Sequence, residues 1–248
     1  MRCLAAAAVL VCAAAVMPAS GAADVVERAS RLAAAPAAIR VDATIADLTI
    51  TAADRSDVQV EVERRAPSRA DLARVPLVVD EQPDGLHVSV VQADAGRDAR
   101  LAATIAISAP ASVAFPSVRV FEGRVRIANV RSAADVAIRR GTIEATRLAG
   151  RVRLESELGG IDLRDPELTP NGMMRLRVFN GPLRVRLGQR PANARILAVT
   201  LNGSITSDIP LATKDRFGPR FGEATIGSGD PVLSMDVVKG DISVAVGR

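Results

Sequence analysis

The sequence predicts an all-β fold: a parallel β-helix (β-solenoid) of glycine-punctuated coils about 18–22 residues long, with a β-rich N-terminal lead-in. Three observations predict it. Glycines recur at 123, 141, 159, 181, 203, 222 and 240, at successive spacings of 18, 18, 22, 22, 19 and 18 residues. Most sit between pairs of apolar residues spaced by two, as Gly123 does between Val118 and Val120 and then Val125 and Ile127. Apolar positions three and four apart, which a helix would need, do not organise this region. Alternation by two marks a strand with one buried face. A glycine at a fixed place between strands marks a bend or an approach too close for a side chain. Units this short cannot bury their apolar face alone, so they stack on their neighbours. A β-sandwich is the alternative, but a sandwich needs no glycine at a recurring register.

Taken in order, residues 1–23 read as a signal peptide. Arg2 supplies a positive start, Cys3 to Val16 is an apolar run too short to span a membrane, and Gly21 and Ala23 offer small residues for cleavage before Asp24. Cys12 raises the question of a lipid anchor, but Val11 before it is bulky where lipoprotein processing needs a small residue. Residues 24–38, beginning "DVVERASRLAAA", leave two readings open, a helix near the mature N-terminus or a mobile leader. The solenoid domain spans 39–248, with 39–115 as an irregular lead-in and 116–248 as regular coils. In the lead-in, Val41, Ala43, Leu48 and Ile50 keep the register, with Ala46 where glycine would stand. Val58, Val60 and Val62, then Leu86, Val88 and Val90, alternate clearly; "APSRADLARVP" between them is polar, with a short helix after Ser68. Among the coils, Gly222 fits worst, preceded by Phe217 and Pro219.

The stretch from Ile105 to Asp165, "IAISAPASVAFPSVRVFEGRVRIANVRSAADVAIRRGTIEATRLAGRVRLESELGGIDLRD", resembles the bacterial putative-adhesin family of exported β-strand-repeat proteins, the domain of unknown function 4097. Ile105, Ile107 and Pro110 stand at that family's apolar–apolar–proline step, slightly stretched. The resemblance runs from about Ile39 to the C-terminus and is clearest over Leu101 to Asp165. It implies an exported parallel β-helix with a surface or periplasmic binding role, and it supplies no catalytic residues to carry over.

Both cysteines, Cys3 and Cys12, fall inside the leader, so the mature chain has no disulfide, thiol nucleophile or thiolate metal site. Removing Arg2 leaves 31 basic against 28 acidic side chains, a net charge of +3. So small a balance with both signs interspersed is a solvated surface and not a nucleic-acid footprint. Five phenylalanines with no Trp or Tyr weigh against aromatic sugar platforms. His87, the only histidine, faces away from Leu86 and Val88 and can form neither a multi-histidine metal site nor a base pair of catalytic groups. "GSGD" at 227–230 faintly resembles a calcium-binding repeat but occurs once, and calcium needs six or more oxygens. It reads as a turn. No catalytic residue, metal ligand or cofactor is therefore assigned.

One constellation follows from the repeat. The residue between the two inward positions after each glycine faces out: Arg126, Glu144, Asp162 and Arg184, then Thr206, Thr225 and Ser243. Stacked in register they form one polar surface, and Arg126, Glu144, Asp162 and Arg184 are the candidate binding face. The expected function is that of an exported, non-enzymatic, adhesin-like binding or structural module, placed in the periplasm, at the cell surface or outside the cell. Its partner would be an envelope protein or glycan, not nucleic acid, with no transmembrane segment in the mature chain. The alternative is an envelope polysaccharide-acting enzyme on the same scaffold. The last coil, near Gly240 to Val246, is expected to leave an open edge for self-association or a partner.

Overall fold

The structure, a computed structural model, describes residues 24–92, 98–214 and 218–247. The signal peptide assigned to 1–23 lies outside the described residues, as does Phe217. The chain is all-β, with its strands joined in one large sheet that does not close. The N-terminal part comprises β1 (Val25–Ala34), β2 (Ala38–Ala53), β3 (Asp57–Ala66), the single-turn helix α1 (Arg69–Leu72), β4 (Leu77–Gln82), β5 (Gly85–Val90) and β6 (Ala102–Pro110). Next come β7 (Ala114–Ala128), β8 (Ala134–Thr146), β9 (Arg151–Leu158), β10 (Ile161–Arg164), β11 (Met173–Asn180) and β12 (Leu183–Leu187). The C-terminal part adds β13 (Ala194–Asn202), β14 (Ile205–Ser207), β15 (Ala212–Lys214), β16 (Arg220–Ile226), β17 (Val232–Lys239) and β18 (Ile242–Val246).

Segments before the recurring glycines pair with one another, and segments after them do the same. On the post-glycine side, Ile143 lies beside Ile161 and Ile161 beside Leu183, all in parallel register. On the pre-glycine side β8, β9, β11, β17 and β13 pair in parallel in that spatial order. β2, β7 and β8 run unbroken through the bend and pair in parallel along nearly their whole length. The return segments also stack, with the Ala149 amide donating to the Val130 carbonyl at 2.9 Å and the Glu167 amide to Leu148 at 2.8 Å. Inward positions such as Val118, Val136, Leu154, Leu176 and Ile143 are fully buried, each such aliphatic side chain contributing about 1.5–3 kcal/mol.

The glycine question has a structural answer. A Cβ on Gly141 would stand 1.8 Å from the Gly123 carbonyl oxygen, one on Gly159 1.8 Å from that of Gly141, and one on Gly181 1.8 Å from that of Gly159. The ladder begins at the Ala46 carbonyl, which stands 2.0 Å from where a Gly123 Cβ would be, and continues through Gly240 to Gly203. At Gly123, Gly141, Gly159, Gly181 and Gly240 both the positive φ and the neighbour's carbonyl exclude a side chain, and at Gly203 the carbonyl alone does. Two buried hydroxyls brace the same line: Ser156 donates to the Gly141 carbonyl at 3.3 Å and Thr200 to the Gly240 carbonyl at 2.9 Å.

Four expectations need correction. Residues 25–34 are neither a helix nor a mobile leader but strand β1, antiparallel to β3 throughout. Gly222 is not a corner, because it lies within β16, which pairs antiparallel with β13. Thr225, on that strand, therefore pairs with Arg195 and stands outside the post-glycine row. Finally, the last coil is not an open edge. β17 lies between β11 and β13, and β18 between β12 and β14, so the C-terminal coil is inserted into the stack. Self-association through it loses its basis.

At the opposite end, Ser68 caps α1 by accepting from the Asp71 amide at 3.2 Å, and Leu72 and Val75 are buried there. Arg31 ties the outer strands together, donating to the Val79 carbonyl and pairing with Glu81 at 2.9 Å.

Candidate binding face

The structure brings the four predicted residues into one line. Arg126 pairs in register with Glu144, Glu144 with Asp162, and Asp162 with Arg184, and the row continues through Ser243 to Thr206. Parallel pairing sets adjacent members about 4.8 Å apart, and inward neighbours packed in the core fix which way each strand faces.

Charge is distributed unevenly along this row. Glu144 accepts from Arg126 Nε at 3.2 Å and lies 3.4 Å from Arg124 Nε. Asp162 stands beside Glu144, and Arg164 Nη2 reaches it at 2.6 Å. Hydrogen bonding to Asp162, with its charge, raises the Arg164 pKa. The two neighbouring carboxylates are thus each matched by arginine. Beyond them Arg184 is exposed, and Arg186 lies in register beside Arg164. Neither Arg184 nor Arg186 meets a carboxylate among the described residues.

The pre-glycine side carries a second outer face that the sequence reading did not single out. Around Ala137 lies a depression of about 350 Å³, walled by Arg119, Phe121, Arg139, Glu155 and Glu157. It forms because alanine stands amid long side chains. The Arg139 guanidinium sits 5.1 Å from the Phe121 ring centre and 3.0 Å from Glu157. Further along, Phe179 and Leu201 are 56 % and 51 % exposed. Phe121, Phe179, Leu201 and Val238 each stand two residues before a corner glycine, an outward position. That shared offset was a signal available in the glycine frame.

Other sequence features are structural. His87 Nε2 lies 3.1 Å from Asp84 Oδ1 and 3.3 Å from Arg40, an outward strand histidine as expected. The 227–230 segment is a turn: the Ser228 amide donates to Asn193 at 2.9 Å, and Asp230 accepts from the Asn171 amide at 2.7 Å. A depression of about 450 Å³ among the return segments includes Asp165, Glu167 and Asp230, but Glu167 is paired with Arg131 at 3.2 Å. Among the described residues no three His, Cys, Asp or Glu side chains are grouped to hold a metal ion. No helix there is long and apolar enough to cross a membrane.

No protein-family model matches the chain, and neither does any curated protein sequence. Among solved structures, the chain is similar to one described as a "putative cell adhesion protein" from Clostridium sporogenes, with 7 % identity over 89 % of this chain and 100 % of that one, at a TM-score of 0.52. Structures described as "putative adhesin" are also matched, from Bacteroides fragilis (12 % identity, 89 % and 97 % coverage, TM-score 0.32) and Parabacteroides merdae (9 %, 90 % and 96 %, TM-score 0.29). At such identities the Clostridium likeness concerns the fold alone, and the other two fall below the similarity at which fold can be argued.

Proposed function

We propose that the chain is an exported, non-enzymatic parallel β-solenoid of the domain of unknown function 4097 type. It serves as an adhesin-like binding or structural module of the bacterial envelope, in the periplasm, at the cell surface or outside the cell. The parallel rungs and the continuous corner ladder of glycines support the solenoid reading. The observation that carries the functional reading is the in-register outer row from Arg126 to Thr206, a long regular surface with its apolar residues turned inward. The cell-adhesion name of the Clostridium structure agrees with it, and so does the leader at 1–23.

The test uses the chain beginning at Asp24, immobilised and exposed to envelope fractions. Retention of a defined glycan or protein component, with no product released from a panel of envelope polysaccharides, is the expected result. Turnover of any of those polysaccharides would establish an enzyme instead. Export is checked in the host by N-terminal sequencing, which should begin near Asp24 with no lipid on Cys12.

A further inference from the structure

One coil is charged unlike the others. Residues 171–193 contain Arg175, Arg177, Arg184, Arg186 and Arg190 and no Asp or Glu. In the preceding coils Arg119, Arg124, Arg126, Arg139, Arg153 and Arg164 each reach a carboxylate within 3.4 Å, while Arg140, Arg147 and Arg151 make no ion pair among the described residues. In this coil no arginine comes that close among the described residues, Arg175 alone reaching a carboxylate, that of Asp236, at 3.8 Å. Arg177, Arg184, Arg186 and Arg190 make no ion pair among the described residues, although Arg177 lies in register between Glu155 and Asp236 and Arg184 beside Asp162.

Two of these, Arg184 and Arg186, point outward from the same strand with both side chains exposed. Arg186 lies in register with Arg164, whose guanidinium is already positioned by Asp162. The Cα atoms of Arg184 and Arg186 therefore stand about 7 Å apart along β12. On the far side their neighbours are Ser243 and Ala245. The serine adds a hydroxyl donor, and the alanine leaves the flank of Arg186 uncrowded.

From this arrangement we infer that β12, with β18 beside it, forms a docking surface for an acidic polysaccharide, engaged through its carboxylates by Arg184 and Arg186. This inference rests on the binding-module reading above and names the partner class. The guanidinium fork matches a carboxylate's two oxygens. The surface is flat and open, suited to a chain lying across it. Among the described residues, the outward positions of β10, β12 and β18 hold no aromatic residue to stack a nucleobase and no large apolar one to enter a bilayer. Each exposed contact is weak alone, so affinity comes from several carboxylates bound at once and is salt-sensitive.

The experiment measures binding of the chain from Asp24 to polygalacturonate, with neutral dextran, double-stranded DNA and anionic phospholipid vesicles as the other probes. Polygalacturonate should bind, dextran should not, and raising salt from about 0.1 M to about 1 M should release it. R184E/R186E should weaken binding about tenfold or more, while R28E/R65E, exposed on β1 and β3 and outside this row, should change it by less than about twofold. Circular dichroism of both variants checks that the fold persists. The inference is overturned if DNA or vesicles bind better than polygalacturonate, if both double variants lose equally, or if no polygalacturonate binds. Retention of an envelope component by wild type and R184E/R186E alike would remove this partner while leaving the module reading intact. No retention by wild type would remove the module reading itself.

Discussion

Replacing Gly159 with alanine tests the corner ladder directly. Its φ of +142° is a region that only glycine occupies comfortably, and a side chain held there costs about 1–3 kcal/mol. The added methyl would also stand 1.8 Å from the Gly141 carbonyl oxygen and 2.7 Å from its carbon. These are backbone atoms pinned by pairing on both sides, so relief requires parting two coils. Overpacking of this kind costs about 1–3 kcal/mol more, for a total of roughly 2–6 kcal/mol. That is a large share of the 5–15 kcal/mol typical of a folded domain, by order of magnitude. Gly150 is the matched control, with φ +81° but no atom nearer than 3.6 Å to its would-be Cβ. Alanine there should cost only the left-handed strain of about 1–2 kcal/mol. Urea unfolding followed by far-ultraviolet circular dichroism, on the chain from Asp24, measures both. Equal losses at the two positions would show that close approach is not what reserves the corner for glycine.

Three further outcomes follow from the same geometry. Ile161→Ala and Leu183→Ala, at buried in-register positions, should each cost about 2–5 kcal/mol, whereas Asp162→Ala on the outer row should cost less than about 1 kcal/mol; urea melts that rank Asp162 with Ile161 would mean the strands face the other way. Deleting Asp241 to Arg248 removes the strand between β12 and β14, so hydrogen exchange at Leu183 and Asp208, whose amides donate to Asp241 and Val244, should accelerate while Ile143 stays protected; unchanged exchange at Leu183 would contradict the insertion. Asp98 is held down to about 2 by the Arg100 side chain and amide, and Asp241 is lowered by Ser204. Because both folded-state values are depressed, their stabilisation is complete above the ordinary value of 3.8 and disappears as pH falls through the folded-state values. Thermal midpoints should therefore drop over that acid window, and less steeply for Asp98→Asn; parallel profiles for the two proteins would count against it.

The register was legible because it depends on local pattern alone. Val118, Ile143 and Leu183 turn inward by alternation, and the corner glycines announce themselves because only they tolerate a neighbour's carbonyl so near. Arg126, Glu144, Asp162 and Arg184 could accordingly be placed in one row. Which coil neighbours which was not legible. All coils present the same alternation, so nothing in "DVVKGDISVAV" distinguishes an end position from a place between β12 and β14; the long excursion through β15 and β16 decides it. β1 was misread for a related reason. Val25, Val26, Ala29 and Leu32 are spaced much as on a helix, yet β3 offers an unpaired edge that extended chain satisfies along all ten residues. The basic coil went unnoticed because net charge is a sum over the chain, and compensation is a property of spatial neighbours.

The placement of β17 and β18 has a consequence for the order in which the molecule can be assembled. A polypeptide delivered N-terminus first can lay β7, β8, then β9 with β10, then β11 with β12, each on the one before, as soon as it emerges. There the progression halts. The next residues to arrive, β13 and β14, find no seat, because the strands that join them to β11 and β12 have not yet been delivered. Until Val246 is available, the edge of β11 and β12 stands open, with the unpaired backbone groups through which strands recruit foreign chains. The final third of the molecule is therefore a single closing event, and a chain stalled before it would be a sticky one. Pulse-labelled hydrogen exchange during refolding should find Val136 and Leu154 protected early, and Ile196, Leu233 and Ile242 protected later and together.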